Sequence, residues 1–250
     1  MFHFYTGWPC NIFITCFNNI WHPSMKSLIS FITLLAIKVF ANIFYRFKIQ
    51  WPTNGTIIWS DVRLLVFMNH TSLFEIIFLG IAPVSFLRML SRHMVAPGAD
   101  KTLNRPIVGR LFKMFSPGMT SITRKRDNTW DEFLDSITED SITVIAPEGR
   151  MKRKNGLDLD GKKMTVRPGV IDILQNLNNG QMLIIYSGGL HHIQVPGEGF
   201  PRLFKTVKAN SEVFEIPAYK AGFAQPVGSA AWKKLVLDDL QYRLETKPPE

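Results

Sequence analysis

Leu64-Leu65-Val66-Phe67-Met68, running straight into Asn69-His70-Thr71-Ser72-Leu73-Phe74-Glu75, is the stretch from which the fold can be read. Five consecutive apolar residues that stop at polar turn formers predict a short buried strand, and His70 then sits at its end. Thr71 or Ser72 can cap a helix starting there, with Glu75 in its first turn and Phe74, Ile76, Ile77 and Leu79 as its apolar surface. In a regular helix, residues five apart lie roughly 140° from each other around the axis. Glu75 can therefore reach His70 only if the histidine lies outside the helix. At a strand-to-helix turn the imidazole folds back, a carboxylate accepts from one ring nitrogen, and the other nitrogen is open to a hydroxyl proton. The pattern predicts a histidine-carboxylate dyad with no nucleophile of its own.

The same grammar recurs some seventy residues on, where Ile142-Thr143-Val144-Ile145-Ala146 reads as a strand ending in Pro147-Glu148-Gly149-Arg150. Strands are expected near 56–59, 63–68, 87–91, 119–123, 142–146 and 182–187. Helices are expected at 103–115, 130–137 and 229–245, the last with Trp232, Leu235, Val236, Leu240 and Leu244 on one stripe behind a serine cap. Strands alternating with helices predict an α/β fold, a mixed, mainly parallel sheet with helices on both faces. Reactive groups gather at strand ends in such folds. His70, Arg124 and Glu148 each follow an apolar strand.

These residues resemble the motifs of the glycerolipid acyltransferases, the family typified by 1-acylglycerol-3-phosphate (lysophosphatidic acid) acyltransferase. Asn69, His70, Ser72 and Glu75 match its first motif, with glutamate where most members carry aspartate. Gly118, Ile122 and Arg124 match the second, while Ser121 and Thr123 replace its usual aromatic and acid. Pro147, Glu148 and Gly149 match the third, but its threonine is missing. The family arginine's role therefore falls to Arg150 or to Arg153. Arg167-Pro168-Gly169-Val170 and residues 180–185 resemble later elements, without the proline of the fourth motif. The likeness spans about residues 55 to 200.

The resemblance implies a transferase that moves a fatty acyl group from acyl-CoA or acyl carrier protein to a lysophospholipid hydroxyl, foremost 1-acylglycerol 3-phosphate, to give phosphatidic acid. It implies His70 as general base, Glu75 as its partner, and Arg124 with Arg150 or Arg153 as phosphate ligands. Asn69, Ser72, Gly118, Glu148 and Gly149 are substrate-binding or structural, and no metal or other cofactor is called for. Replacing Glu75 by aspartate is expected to retain or improve turnover. Another lysolipid acceptor, or a catalytically degenerate lipid-binding protein of the same fold, are the alternatives. A hydrolase using Ser72 lacks a nucleophile elbow.

Composition bounds the rest. The chain has 250 residues, 46% of them hydrophobic, with the apolar surplus at the front. This divides it into a membrane-associated helical segment, 1–50, and an acyltransferase α/β domain, 51–250. Residues 28–45 could span a bilayer by length, but Lys38 near the middle would cost about 2.5 to 3.5 kcal/mol. An interfacial helix avoids that cost, with Lys26, Lys38, Arg46 and Lys48 snorkelling to headgroups and Phe31, Leu34, Leu35, Phe40 and Phe44 facing acyl chains. The first twenty-one residues lack a basic start and a small-residue cleavage site, so a cytoplasmic membrane face is expected. Cys10 and Cys16 allow one disulfide at most and lack histidine neighbours for a metal.

The net charge of +9 is concentrated after the second and third motifs, at 124–126, 150–154 and 162–163, which suits an anionic substrate or lipid surface. No nucleic-acid-binding motif or aromatic platform accompanies it. His191 and His192 are expected to serve a loop, and Gly188-Gly189 and Gly197-Glu198-Gly199 to be turns.

Overall fold

The structure is a computed structural model that describes residues 23–106, 108–116, 118–123 and 127–249. Its elements run α1 (Pro23–Phe44), β1 (Tyr45–Gln50), β2 (Val62–Met68), a 3-10 helix (Leu73–Gly80), α2 (Val84–His93), β3 (Met94–Ala99) and α3 (Asp100–Leu103). They continue with α4 (Val108–Phe115), β4 (Gly118–Ile122), α5 (Thr129–Asp135), β5 (Ile142–Ile145), α6 (Gly169–Asn176), β6 (Gln181–Ser187), β7 (Lys205–Glu215), α7 (Ile216–Ala221) and α8 (Ala230–Thr246). Seven strands form one sheet in the order β1-β7-β6-β2-β5-β3-β4. Only the β6–β7 pair is antiparallel, so the sheet is mixed and mainly parallel.

Helices cover both faces, as the alternation of the central strands requires. Leu65 of β2 and Leu183 and Ile185 of β6 join Leu34 of α1, Phe78 of the 3-10 helix and Phe86 and Leu90 of α2 in one core. Leu64, Val66 and Met68 of β2 and Met182, Ile184 and Tyr186 of β6 point the other way, into Phe133 of α5, Val170 and Leu174 of α6 and Trp232 and Leu240 of α8. A strand buried on both sides is apolar throughout, which is why β2 was visible as a continuous run.

Three expectations are corrected. Residues 56–59 form no strand: the Gln181 side chain accepts from Ile58 N at 2.8 Å and donates to Thr56 O at 3.1 Å, so one amide satisfies backbone groups that a ladder would otherwise pair. Residues 87–91 lie within α2, where Phe86, Leu87 and Leu90 are buried and Arg88 and Arg92 exposed at helical spacing. The strand comes next, as β3. It carries Pro97 and Gly98, residues that argue against an interior strand, but β5 pairs only with Met94 and Val95, leaving Pro97 in a stretch with β4 alone as neighbour. The expected helix 103–115 is two helices, α3 and α4, divided around Pro106.

The strands β1 and β7 were not foreseen. In β7 the buried residues Val207, Ala209, Ser211 and Val213 alternate with Lys208, Asn210 and Glu212, and in β1 polar Arg46, Lys48 and Gln50 alternate with Tyr45, Phe47 and Ile49, which leaves no apolar run to see. Expected helices at 130–137 and 229–245 correspond to α5 and α8, and Ser229 caps α8 by accepting from Trp232 N at 3.1 Å.

The helix α1 presents the opposite face to the one expected. Met25–Phe44 is long and apolar enough to cross a membrane by length and composition. Leu34 is fully buried, Phe31, Phe40 and Phe44 pack on the core, and Ser30 Oγ donates to Phe115 O at 2.6 Å. Lys38 also turns inward, its ammonium donating to Gly80 O at 2.6 Å and Ala82 O at 2.8 Å. Carbonyls at a helix end lack partners of their own, and this cation supplies them. The outward stripe is Met25, Leu28, Ile32, Val39 and Ile43, all exposed.

Candidate active site

The end of β2 turns sharply because Asn69 adopts φ +63°, a left-handed conformation that asparagine tolerates better than most residues. Its side chain is fixed at both ends: Nδ2 donates to Ser187 O at the end of β6 at 2.7 Å, and Oδ1 accepts from Lys152 Nζ at 3.1 Å. Ser72 then caps the 3-10 helix, accepting from Phe74 N at 3.1 Å, and donates to Gln194 Oε1 at 2.9 Å. The helix expected here is thus present in its tighter form, and His70 stands outside it.

His70 Nδ1 lies 2.5 Å from Glu75 Oε2. The other carboxylate oxygen accepts from Thr71 N at 2.7 Å and Thr71 Oγ1 at 3.2 Å, while Thr71 Oγ1 accepts from Leu190 N at 2.8 Å. Glu75 is thereby locked, since both oxygens have fixed partners. A proton on Nδ1 directed at Glu75 leaves the lone pair on Nε2, and Nε2 has no hydrogen-bond partner among the described residues.

Glu148, just after the end of β5, reaches the same turn. Its Oε1 accepts from Asn69 N at 2.6 Å and His70 N at 3.1 Å, joining residues 79 and 78 positions apart. Its Oε2 is buried with no partner among the described residues, and the residue is 1% exposed. Burial pushes the Glu148 carboxyl above the ordinary carboxylate value, against the opposing pull of His70 and of backbone N–H groups. For His70, burial favours the neutral ring, but the charge and hydrogen bond of Glu75 and the charge of Glu148 together outweigh it. The net shift is upward from 6.5. Gly149 follows with φ +64°, the left-handed region that glycine occupies without strain.

The basic residues behind this turn divide. Arg150 Nη1 is engaged by Asp158 Oδ2 at 2.6 Å and also by Asp160, which together raise its pKa. Arg153 Nη1 donates to Pro196 O at 3.2 Å. Lys152, not singled out by the motifs, is the cation that adjoins the histidine: its N donates to His70 O at 2.7 Å, its ammonium touches Asn69, and no carboxylate pairs with it among the described residues. Its carbonyl accepts from His191 Nε2 at 2.7 Å, so His191 braces a loop, and His192 Nε2 donates to Thr206 O at 2.8 Å. Arg124, Cys10 and Cys16 lie outside the described residues. Gly118 opens β4 where a Cβ would come within 2.4 Å of Met94 O, so its role is close strand approach.

Sequence reasoning missed Lys152, Thr71, Gln194 and His191 as members of this cluster. Thr71 was visible only as a possible cap, and Lys152 only as one charge in a basic run. The bonds that tie them to other elements, such as Ser72 to Gln194, Leu190 to Thr71 and His191 to Lys152, join residues 39 to 122 positions apart, where spacing carries no signal.

The chain matches the sequence profile of the acyltransferase family over residues 52–190, which takes in Asn69, His70, Glu75, Glu148 and Gly149. No curated protein matches it in sequence. Among solved structures it is similar to the 1-acyl-sn-glycerophosphate (LPA) acyltransferase PlsC from Thermotoga maritima, at 15% identity and a TM-score of 0.52, covering 95% of this chain and 88% of that one. That likeness shows the shared fold. With the profile spanning more than half of the 250 residues, the chain belongs to the acyltransferase family.

Proposed function

We propose that this protein transfers a fatty acyl group from a thioester donor, acyl-CoA or acyl carrier protein, to the free hydroxyl of a lysophospholipid at a membrane surface. The acceptor is 1-acylglycerol 3-phosphate and the product phosphatidic acid. The observation that carries this reading is the 2.5 Å contact between His70 Nδ1 and Glu75 Oε2, with His70 Nε2 left without a partner.

In this reading His70 Nε2 takes the acceptor's hydroxyl proton as the oxygen attacks the thioester carbonyl, an effect worth about 10²- to 10⁴-fold. The new ester C–O bond forms, the C–S bond breaks, and the leaving thiolate takes the proton back from the imidazolium. Glu75 fixes the ring and stabilises the imidazolium, as the acid of a triad does. The donor is already activated, so no covalent enzyme intermediate is needed. Glu148 acts on His70 through the backbone of the turn and through its charge. Arg124 and Lys152 hold the acceptor phosphate, a task for which Arg150 is poorly placed because two carboxylates already engage it.

The membrane is met by α1, within the segment 1–50, whose outward stripe is apolar and whose Lys38 is turned away from it. The domain 51–250 then carries the chemistry. Free thiol release from an acyl-CoA, measured with and without 1-acylglycerol 3-phosphate in wild-type and His70→Ala proteins, tests the reading. Release that needs both the acceptor and His70 is expected. Release without acceptor would make the protein a thioesterase, and none with any lysolipid or donor would leave a lipid-binding protein of this fold.

A further inference from the structure

Phe200 is 90% exposed and Phe204 74% exposed, with Leu203 partly so between them. Aromatic rings left in water on an ordered loop call for an explanation, because apolar surface of that size is normally covered. The loop is braced from within. Glu198 Oε2 accepts from Val195 N at 3.0 Å, Glu198 Oε1 accepts from Arg202 Nη2 at 2.7 Å, and Arg202 N donates to Ile193 O at 2.8 Å. Phe204 is held at φ +58°, a conformation that a bulky residue rarely adopts. The backbone is thus built to keep its aromatic tip outward.

The position of the tip indicates what covers it. Phe204 N donates to Phe44 O at 2.8 Å, and the two rings meet with centroids 5.6 Å apart, so the tip adjoins the last turn of α1, which carries exposed Ile43. Exposed cations flank it: Lys205 follows Phe204, and Arg46 and Lys48 lie on β1, whose Tyr45 pairs with Lys205. Aromatic residues beside basic ones are the composition that seats at a membrane interface and at anionic headgroups. The other end of the loop touches the site. Gln194 accepts from Ser72, and Pro196 O accepts from Arg153.

We propose that residues 194–204 form a second membrane-seated element, with Phe200, Leu203 and Phe204 inserted in the lipid surface beside α1. The loop sets the height of the His70 turn above the lysolipid layer. This rests on the membrane reading given above for α1.

The test uses full-length protein and vesicles of phosphatidylcholine with phosphatidylglycerol, scored by co-sedimentation. A second readout is acyl transfer to a short-chain lysolipid dissolved as monomers. Phe200→Ser should weaken vesicle binding roughly tenfold, from lost burial of one aromatic side chain, and leave activity on the dissolved acceptor unchanged. Phe200→Trp should bind as wild type. If Ile32→Asp releases the protein while Phe200→Ser does not, the loop inference is overturned and the α1 reading survives. Wild type that ignores vesicles overturns both. Equal loss of dissolved-substrate activity in Phe200→Ser, or an altered oligomeric state in size-exclusion chromatography, overturns the inference by giving the loop a different role.

Discussion

The turn after β2 and the loop after β5 are joined backbone to backbone, at His70 O and Lys152 N, yet they treat charge in opposite ways. In the loop, Arg150 is given two carboxylates, both engaged by its Nη1. In the turn, two carboxylates converge on one histidine, and the bonding is left unfinished at His70 Nε2 and Glu148 Oε2. A charge supplied with its own partners shapes a loop, whereas a group with open bonding capacity in a buried place is available for chemistry. The content of charge does not locate the site; its satisfaction does.

The sharpest way to break this contrast is at the histidine. His70→Ala should lower acyl transfer by about 10²- to 10⁴-fold with an unchanged far-UV circular dichroism spectrum, and retained turnover would end the dyad's claim. Glu75→Gln should cost on the order of 10²-fold or more in kcat. Glu75→Asp, which the family pattern expects to retain or improve turnover, should instead cost about tenfold if the longer side chain's bonds to both His70 and Thr71 matter, by the loss of a charge-assisted bond. Steady-state kinetics of the pair decides whether glutamate is here a fitted residue or a tolerated one.

Glu148→Gln sharpens the electrostatic side. The His70 pKa is raised, and a base must be neutral, so kcat/KM should fall as pH drops through a value above 6.5. Removing the Glu148 charge takes away one of the raising influences, and that acid limb should move to lower pH. The stability sign runs the other way: the preference for protonated His70 stabilises the fold fully below the unfolded value near 6.5 and is lost as pH rises through the folded one. An acid limb that does not move in Glu148→Gln would confine Glu148 to holding the backbone.

Lys152→Met should raise the KM for a phosphate-bearing acceptor several-fold, about the worth of one charge-assisted bond, and leave that for a neutral monoacylglycerol alone. Arg150→Met should do the reverse of what its motif position implies, leaving KM unchanged while making residues 150–163 easier to cleave in limited proteolysis. The smallest effect is expected at Gly149, where alanine must adopt φ +64° and should cost about 1 kcal/mol in thermal unfolding.

The sequence revealed those parts of the molecule whose physics is local. The strands β2, β5 and β6 are buried on both faces and read as apolar runs, and His70, Glu75 and Ser72 announce a turn by their order along the chain. The edge pair β1 and β7 alternates polar with apolar residues and was invisible in the same terms. α2 was misread because Leu87, Met89 and Leu90 lie close together, although Phe86, Leu87 and Leu90 follow a helical spacing. The inward face of α1 was illegible because Lys38 finds its carbonyls at Gly80 and Ala82, 42 and 44 residues away. In the site, Lys152 and Gln194 were hidden for the same reason: each is placed by strands that meet only in the sheet.

Lys38 gives the 3-10 helix a mechanical meaning. Eight residues at about 2.0 Å each make a strut some 16 Å long, with Glu75 in its first turn and Gly80, gripped by Lys38, at its last. The apolar helix α1 and the carboxylate bonded to His70 are therefore joined through one short beam. A detergent that slackens α1 should be felt as a drop in turnover before the sheet itself begins to melt.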